Sequence, residues 1–240
     1  MSTDNNLHDF LQDVADAIRE KKGSNEPINA QNFAEEIKNL PSGGGGVPSE
    51  VKDSNGNGIQ NITSLSFDDS VVAIAEYAYS RCRNLREIVF NEGLTSIGSS
   101  AFEESINITS INLPTTISKL SKRCFAQIGE LRTFTIPADA PLQALSNNML
   151  WNSPLLTKFI VPKNIILVDG FAFEGCSGLE YIDFSLLAKV PTLPNTTPFS
   201  GVTKAKFIVP DALYDEWISA TNWATFADRI VKDSEYTRPL

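Results

Sequence analysis

The sequence has few of the residues on which enzymes, metal sites and disulfide-bonded folds depend. Its 240 residues include one histidine, His8, and three widely spaced cysteines, Cys82, Cys124 and Cys176, with no C-x-x-C pair. A catalytic triad or a histidine-rich metal site would have to use His8, and an odd number of cysteines indicates neither a disulfide framework nor a zinc site. We therefore expect no catalytic residue, no metal site and no cofactor, and we expect that the protein is not an enzyme.

Basic residues and long apolar runs are also scarce. Twenty Lys and Arg stand against 29 Asp and Glu, which gives a formal net charge of −9 and a pI near 4.7. Binding to nucleic acid or to anionic membranes requires a basic surface, so both are disfavoured. No stretch approaches the roughly 18 apolar residues that a membrane span requires, and the N-terminus lacks the pattern of a secretion signal. The sequence thus predicts a protein that stays in the cytoplasm unless a particle takes it out.

Residues 1–41 have two apolar stripes at helical spacing. The first consists of Leu7, Phe10, Leu11, Val14 and Ile18, and the second of Phe33, Ile37 and Leu40. Two helices of this length bury little surface and are marginal by themselves. Their stripes must pack on the rest of the chain, on a partner or on another copy of the chain. We expect a helical module for attachment or oligomerisation.

Residues 42–58 are predicted to form a linker. Residues 42–46 read Ser-Gly-Gly-Gly-Gly, a flexible composition. Residues 53–58 match the first half of a calcium-binding loop, but the twelfth position, which should be Glu, is Ser64. The pattern therefore favours a turn leading into the first strand.

Residues 59–210 repeat with a period in the low twenties. A large residue that follows a small one recurs at intervals of 23, 23, 25, 23 and 26 residues, at Tyr79, Phe102, Phe125, Leu150, Phe173 and Phe199. Such a period, with Leu or Ile at alternating positions, is typical of a leucine-rich-repeat solenoid. Neighbouring repeats must stack because a single repeat cannot bury its apolar face. We expect an α/β solenoid of about six repeats of 23–26 residues.

The repeats resemble those of the BspA-type leucine-rich-repeat family. The resemblance is closest where the chain reads Ile-Gly-Ser-Ser-Ala-Phe-Glu from Ile97 and Ala-Phe-Glu-Gly-Cys-Ser-Gly-Leu from Ala172. The fourth repeat departs from the pattern, with Met149-Leu150-Trp151 in place of Ala-Phe. Such repeats occur in bacterial surface adhesins, secreted protist proteins and phage tail proteins, so the resemblance implies a fold and leaves the function open.

Residues 211–240 are predicted to form a helical cap on the solenoid, beginning at Asp211. The apolar residues expected to face inward are Leu213, Trp217 and Ile218, followed by Trp223, Phe226 and Ile230. Solenoids need a terminal unit with a polar outer surface to remain soluble.

The N-terminal phrase Ala-Asp-Ala-Ile-Arg-Glu-Lys-Lys-Gly, from Ala15, is similar to a segment of phage tail and fibre proteins. This resemblance implies a non-enzymatic virion protein, such as a fibre, tail-tip or decoration component, that displays its repeats for host-surface attachment. Its expected partners are other virion proteins or copies of itself, such as a trimer, through residues 1–41, and a host-surface glycan or protein. The alternatives are a BspA-like adhesin on the bacterial cell surface and an intracellular protein-interaction scaffold.

No binding residue is singled out by the sequence. Trp151, Tyr77, Tyr79 and Tyr181 are the aromatic side chains that could contact a sugar or a protein loop if they are exposed. The simpler interpretation places each of them in the core or in the cap.

Overall fold

The computed structural model describes residues 62–69 and 71–239, so the helical module 1–41, the linker 42–58 and His8 lie outside the described residues. The described chain consists of short strands joined by turns. In chain order the strands are β1 (Ser64–Ser66), β2 (Ala73–Ile74), β3 (Glu87–Val89), β4 (Ser96–Ile97), β5 (Ser110–Asn112), β6 (Lys119–Leu120), β7 (Thr133–Thr135), β8 (Ala144–Leu145), β9 (Lys158–Ile160), β10 (Leu167–Val168), β11 (Tyr181–Asp183), β12 (Lys206–Val209) and β13 (Ile230–Lys232).

The strands form two rows, and every pair within a row is parallel. Strands β1, β3, β5, β7, β9, β11, β12 and β13 make the first row, and the two-residue strands β2, β4, β6, β8 and β10 make the second. Leu65 pairs with Ile88, and Phe159 with Ile182, so partners in register lie one repeat apart. Each coil thus adds one strand to the first row, and the chain forms a β-solenoid of about seven coils. The predicted leucine-rich-repeat solenoid is confirmed.

The third side of each coil is a run of turns without α-helix in the described repeats, and the sixth run contains a 3-10 helix at Thr197–Phe199. Each of the first five runs has two residues with left-handed backbones and φ between 54° and 74°: Tyr77 and Arg81, Ser100 and Glu104, Arg123 and Gln127, Asn148 and Asn152, and Phe171 and Gly175. The N–H of Ser100 donates to the carbonyl of Lys122 at 3.0 Å, and the N–H of Glu104 to that of Ala126 at 3.0 Å. In an α-helix these donors would bond within their own segment. The predicted α/β class is therefore corrected to a β-solenoid with little helix.

Large side chains from successive turns stack to form the core. The rings of Phe102 and Phe125 are parallel, with centroids 5.3 Å apart and an interplanar angle of 3°. The residues aligned in the divergent fourth repeat, Met149 and Leu150, are both fully buried. The repeat that departs from the sequence pattern therefore keeps the inward positions by substituting other apolar residues.

Residues 211–239 contain less helix than predicted. Their one α-helix is α1 (Tyr214–Ser219), flanked by 3-10 turns at Asp211–Leu213, Trp223–Phe226 and Asp233–Glu235. The β-branched pair Ile230 and Val231 instead extends the first row, since β13 pairs in parallel with β12. The predicted helical cap is thus not confirmed as such. The inward positions were predicted well: Trp217, Trp223, Phe226 and Ile230 are buried, and Leu213 and Ile218 pack against the core.

All three cysteines lie in the core, as predicted from their apolar neighbours. Cys176 donates a hydrogen bond from Sγ to the carbonyl of Leu150 at 3.1 Å. Burial raises the pKa of Cys82 to about 11 and that of Cys176 to about 12, and it raises the pKa of Cys124 as well. Since the thiolate is the reactive form, these thiols are inert in the folded protein.

We expect no cysteine of the native protein to react with 5,5′-dithiobis(2-nitrobenzoate) at about pH 8, because burial removes access and thiolate character. All three should react after denaturation in guanidinium chloride. The variant Ser177→Cys is a matched control, since Ser177 is exposed next to Cys176 and its thiol should react at once. Rapid reaction of a native cysteine would contradict the buried placement.

A pair of glycine substitutions tests the spacing between coils. A Cβ on Gly178 would lie 2.2 Å from the carbonyl oxygen of Pro154 in the preceding coil, whereas a Cβ on Gly129 would have no atom within 4 Å. We expect Gly178→Ala to lower the free energy of unfolding by about 1–3 kcal/mol, because the coils must move apart. Gly129→Ala should be neutral or stabilise by up to about 1 kcal/mol. Equal effects in denaturant titrations would contradict this packing.

Candidate binding face

The first row of strands presents a regular surface to solvent. Side chains alternate along each strand, so the middle residue of β5, β7 and β9 (Ile111, Phe134 and Phe159) is buried and the two flanking residues point outward. We call the outward residues of β1 to β9 the outer face. They are Ser64, Ser66, Glu87, Val89, Ser110, Asn112, Thr133, Thr135, Lys158 and Ile160.

The outer face combines short polar side chains with two aliphatic ones. Six of its ten residues are Ser, Thr or Asn, and Glu87 and Lys158 are its two charged residues. Val89 and Ile160 are 61% and 47% exposed. Neighbouring strands are about 4.8 Å apart, so these side chains form a flat array of hydroxyl and amide groups around two apolar points. Such an array can make hydrogen bonds and apolar contacts with a broad partner.

The array ends at β11 because another part of the chain covers it. Tyr181 and Asp183 occupy outward positions of β11 and Ile208 one of β12, yet they are only 4%, 4% and 0% exposed. Residues 233–239, which we call the C-terminal segment, lie over Tyr181 and Asp183. Arg238 Nε donates to Asp183 Oδ2 at 2.7 Å, and the Tyr236 ring is 5.7 Å from that of Tyr181. Burial raises the pKa of the Tyr181 phenol, and the Asp183 carboxylate raises it further.

The aromatic side chains considered from the sequence lie in different environments. Tyr77 is 55% exposed, on the turn side. Trp151 is half-buried, with the guanidinium of Arg123 over its ring at 4.6 Å. Tyr79 packs against the core, and burial raises its pKa to about 12. Tyr181 is also buried. Because Tyr77 is exposed on the turn side while Tyr79 and Tyr181 are buried, the four side chains do not form one site. The structure does not bring them together.

Val89 and Ile160 were missed by the sequence analysis. Both are apolar residues at the outward position of a strand, where β1, β5 and β7 have Ser, Asn and Thr. That signal is visible only once the strand register is known, because a one-residue shift would turn the same side chains inward.

Five charged residues of the turn side pair with one another between coils. Arg81 and Arg83 contact Glu104 at 3.2 and 3.3 Å, and Arg123 pairs with Glu103. Pairs of this kind on a surface contribute little to stability, about 0–1 kcal/mol each. Because these charged groups are already paired between coils, the turn side is less suited than the outer face to binding a partner.

Other features of the described residues do not converge on a chemical site. Within 62–69 and 71–239, no group of three or more His, Cys, Asp and Glu side chains is placed to hold a metal ion. No helix in the same ranges has both the length and the apolarity to cross a membrane. A shallow, open depression of about 480 Å³ lies beside β8 and β10, lined by Pro141, Gln143, Lys163, Asn164, Ile165, Ile166, Ala188 and Lys189.

Comparison with solved structures finds leucine-rich-repeat proteins. A leucine-rich-repeat protein of T. pallidum has a TM-score of 0.49 and 16% identity, with 64% of this chain and 81% of that chain covered. A leucine-rich-repeat protein from Bacteroides ovatus has a TM-score of 0.39 and 17% identity over 67% of this chain, which spans 32% of that one. A leucine-rich cell surface protein from Faecalibacterium prausnitzii has a TM-score of 0.35 and 13% identity, with 62% and 59% covered. Comparison with curated proteins finds no match.

Comparison with protein-family models identifies the repeats directly. The BspA-type leucine-rich-repeat region matches residues 53–185 in six copies, which is more than half of the chain. The matched range includes the strands of the outer face and the turns with left-handed residues. The chain therefore belongs to the BspA-type leucine-rich-repeat family.

Proposed function

We propose that this protein is a non-enzymatic binding protein whose outer face contacts a macromolecular partner. The observation that supports this most strongly is the run of exposed Ser, Thr and Asn side chains around Val89 and Ile160, which are 61% and 47% exposed. The centres of protein interfaces are poor in charged residues, and the outer face has only Glu87 and Lys158 among ten. Leucine-rich-repeat proteins are generally protein-binding or surface proteins.

The more specific proposal is a structural component of a phage virion that attaches to a host surface. Its support is the similarity of the phrase from Ala15 to phage tail and fibre proteins, and the order of a helical module, a glycine-rich linker and a repeat domain. In this arrangement residues 1–41 bind other virion proteins or copies of the chain. The linker provides reach, and the outer face binds a glycan or protein on the host.

A BspA-like adhesin on a bacterial surface is the second candidate, and membership of the family favours it. The Faecalibacterium prausnitzii protein, at 13% identity, is named a leucine rich cell surface protein. Both candidates use the outer face in the same way. They differ in what residues 1–41 bind, and in whether the protein is found on particles or on cells.

Charged substitutions test the outer face. We expect the double variant Val89→Asp/Ile160→Asp to lower binding of the labelled full chain to intact gut-bacterial cells by at least about tenfold, because two carboxylates would be desolvated at the contact. Binding is measured by flow cytometry over a panel of strains, together with an array of bacterial polysaccharides.

The matched control is Val72→Asp/Ile166→Asp. Val72 and Ile166 are 54% and 61% exposed, but they lie beside the second row of strands. Equal loss of binding in the two double variants would contradict the assignment to the outer face. A wild-type chain that binds no strain and no polysaccharide would contradict the attachment to a bacterial host that the virion candidate requires.

Removal of residues 1–46 tests the role of the N-terminal module. We expect light scattering to give an oligomeric mass, such as that of a trimer, for the full chain and a monomeric mass for the chain that begins at Val47. Two short apolar stripes need a partner surface, so their removal should abolish assembly. The shorter chain should also fail to enter phage particles.

Normal incorporation of the shorter chain into particles would exclude the virion role of this module. Detection of the protein on intact cells that produce no phage would favour the adhesin. Monomers in both measurements would mean that residues 1–41 pack on their own chain or require a different protein.

A further inference from the structure

The last part of the first strand row contains a buried carboxylate where the other coils have exposed residues. Asp183 is in register with Ile160, which is 47% exposed, yet Asp183 itself is 4% exposed. An outward side chain on a surface strand is normally hydrated. The C-terminal segment, residues 233–239, accounts for the difference because it lies over this position.

Side chains hold the C-terminal segment at this position. The guanidinium of Arg238 reaches Asp183 Oδ2 at 2.7 Å through Nε and Ser185 Oγ at 3.4 Å through Nη2. The Tyr236 ring packs on that of Tyr181 with centroids 5.7 Å apart. The other carboxylate oxygen, Asp183 Oδ1, accepts the backbone N–H of Ser185 at 2.9 Å, which fixes the orientation of the carboxylate. The planar guanidinium is well suited to such an acceptor group.

The two side chains of this ion pair differ in their exposure to solvent. The Arg238 side chain remains 37% exposed, whereas that of Asp183 is 5% exposed. Water therefore competes for the arginine, whereas the Asp183 carboxylate is shielded from solvent while the C-terminal segment is in place. The orienting hydrogen bond to Asp183 comes from the strand and its turn and does not involve Arg238.

We infer that Asp183 and Ser185, with the Tyr181 ring beside them, form a guanidinium-binding site that Arg238 of the same chain fills, and that an arginine of an extended polypeptide partner can replace it. This inference rests on the proposed function, since it assigns a ligand to the edge of the outer face. The occupant seen in the structure is itself a peptide segment. A buried carboxylate requires a cation, which a neutral glycan does not supply.

A partner that displaces the C-terminal segment also gains neighbouring surface. Lys158 and Ile160 on β9 lie in register beside Tyr181 and Asp183 on β11, and both are exposed. A polypeptide that crosses from β11 to β9 would cover the exposed Ile160 side chain in addition to the surface that residues 233–239 already bury. The site and the outer face are therefore continuous.

The test uses the full chain after substitutions that weaken the binding of its own C-terminal segment to the site. The double variant Tyr236→Ala/Arg238→Ala should bind a fluorescent peptide with the sequence of residues 233–239, measured by anisotropy. The unmodified chain should bind it at least about tenfold more weakly, because the attached segment competes at an effective concentration of about millimolar. A peptide with Lys in place of Arg should bind more weakly, and one with Ala should lose at least about tenfold.

Substitution of the carboxylate identifies the acceptor. Asp183→Asn, added to the double variant, should lower peptide affinity by at least about tenfold, because Asn keeps the Oδ1 acceptor and removes the charge. Asp139→Asn is the matched control, since Asp139 is an exposed carboxylate that pairs with Lys163, and it should change nothing. Circular dichroism melting confirms that each variant is folded.

Several results would overturn the inference. One is equal peptide affinity with and without the Asp183 carboxylate, and another is equal affinity of the Arg and Ala peptides. A third is a wild-type dimer in light scattering that Arg238→Ala abolishes, because a second copy of the chain would then be the occupant. Loss of cell binding in Val89→Asp/Ile160→Asp without any peptide binding would overturn this inference and leave the proposed function intact. Peptide binding that needs Asp183, with cell binding unaffected by Val89→Asp/Ile160→Asp, would overturn the proposed function and leave this inference intact.

Discussion

Each coil of the solenoid depends on backbone hydrogen bonds to the next coil, and these continue through the turns as well as along the strands. Left-handed residues such as Ser100 and Glu104 point their N–H groups at the following coil, at 3.0 Å in both cases. A helix at this place would use the same donors internally. The ladder therefore leaves no donors for an α-helix in these turns, and it holds the outward side chains of the first row at a constant spacing. Divergent coils such as the one with Met149 and Leu150 keep the same course because backbone bonds do not require particular side chains.

The two roles of the C-terminal residues follow from that ladder. A growing stack of coils ends in an open apolar layer, which must be covered. Trp217 and Trp223 fill it, with ring centroids 4.5 Å apart, and β13 satisfies the edge of β12. The chain then continues over the outer surface of β11, where Arg238 meets Asp183. Closure of the solenoid and occupation of its binding edge are thus made by one continuous stretch of chain.

Membership of the BspA-type family explains the fold of each coil but does not identify a binding partner. The repeat pattern specifies inward residues, such as Phe102 and Phe125, whereas outward positions are free to vary. Recognition must therefore depend on side chains that the repeat does not specify. On the outer face these are hydroxyl and amide groups with Val89 and Ile160, and beyond it the carboxylate of Asp183. This separation explains how one kind of coil can serve proteins with different partners.

The sequence by itself determined the period, the inward positions and the burial of the cysteines, because each of these depends on spacing along the chain. It also identified Trp217 and Trp223 as closing residues, since large apolar side chains past the last repeat have few other places to pack. Only the tertiary structure decided that the turns are not helical, because the competing hydrogen bonds run between residues about 22 positions apart. It alone placed Val89 and Ile160 outward, and it joined Arg238 to Asp183 across 55 residues. A charge pair of that separation has no local pattern, so its existence depends on how many coils lie between the two residues and how they stack.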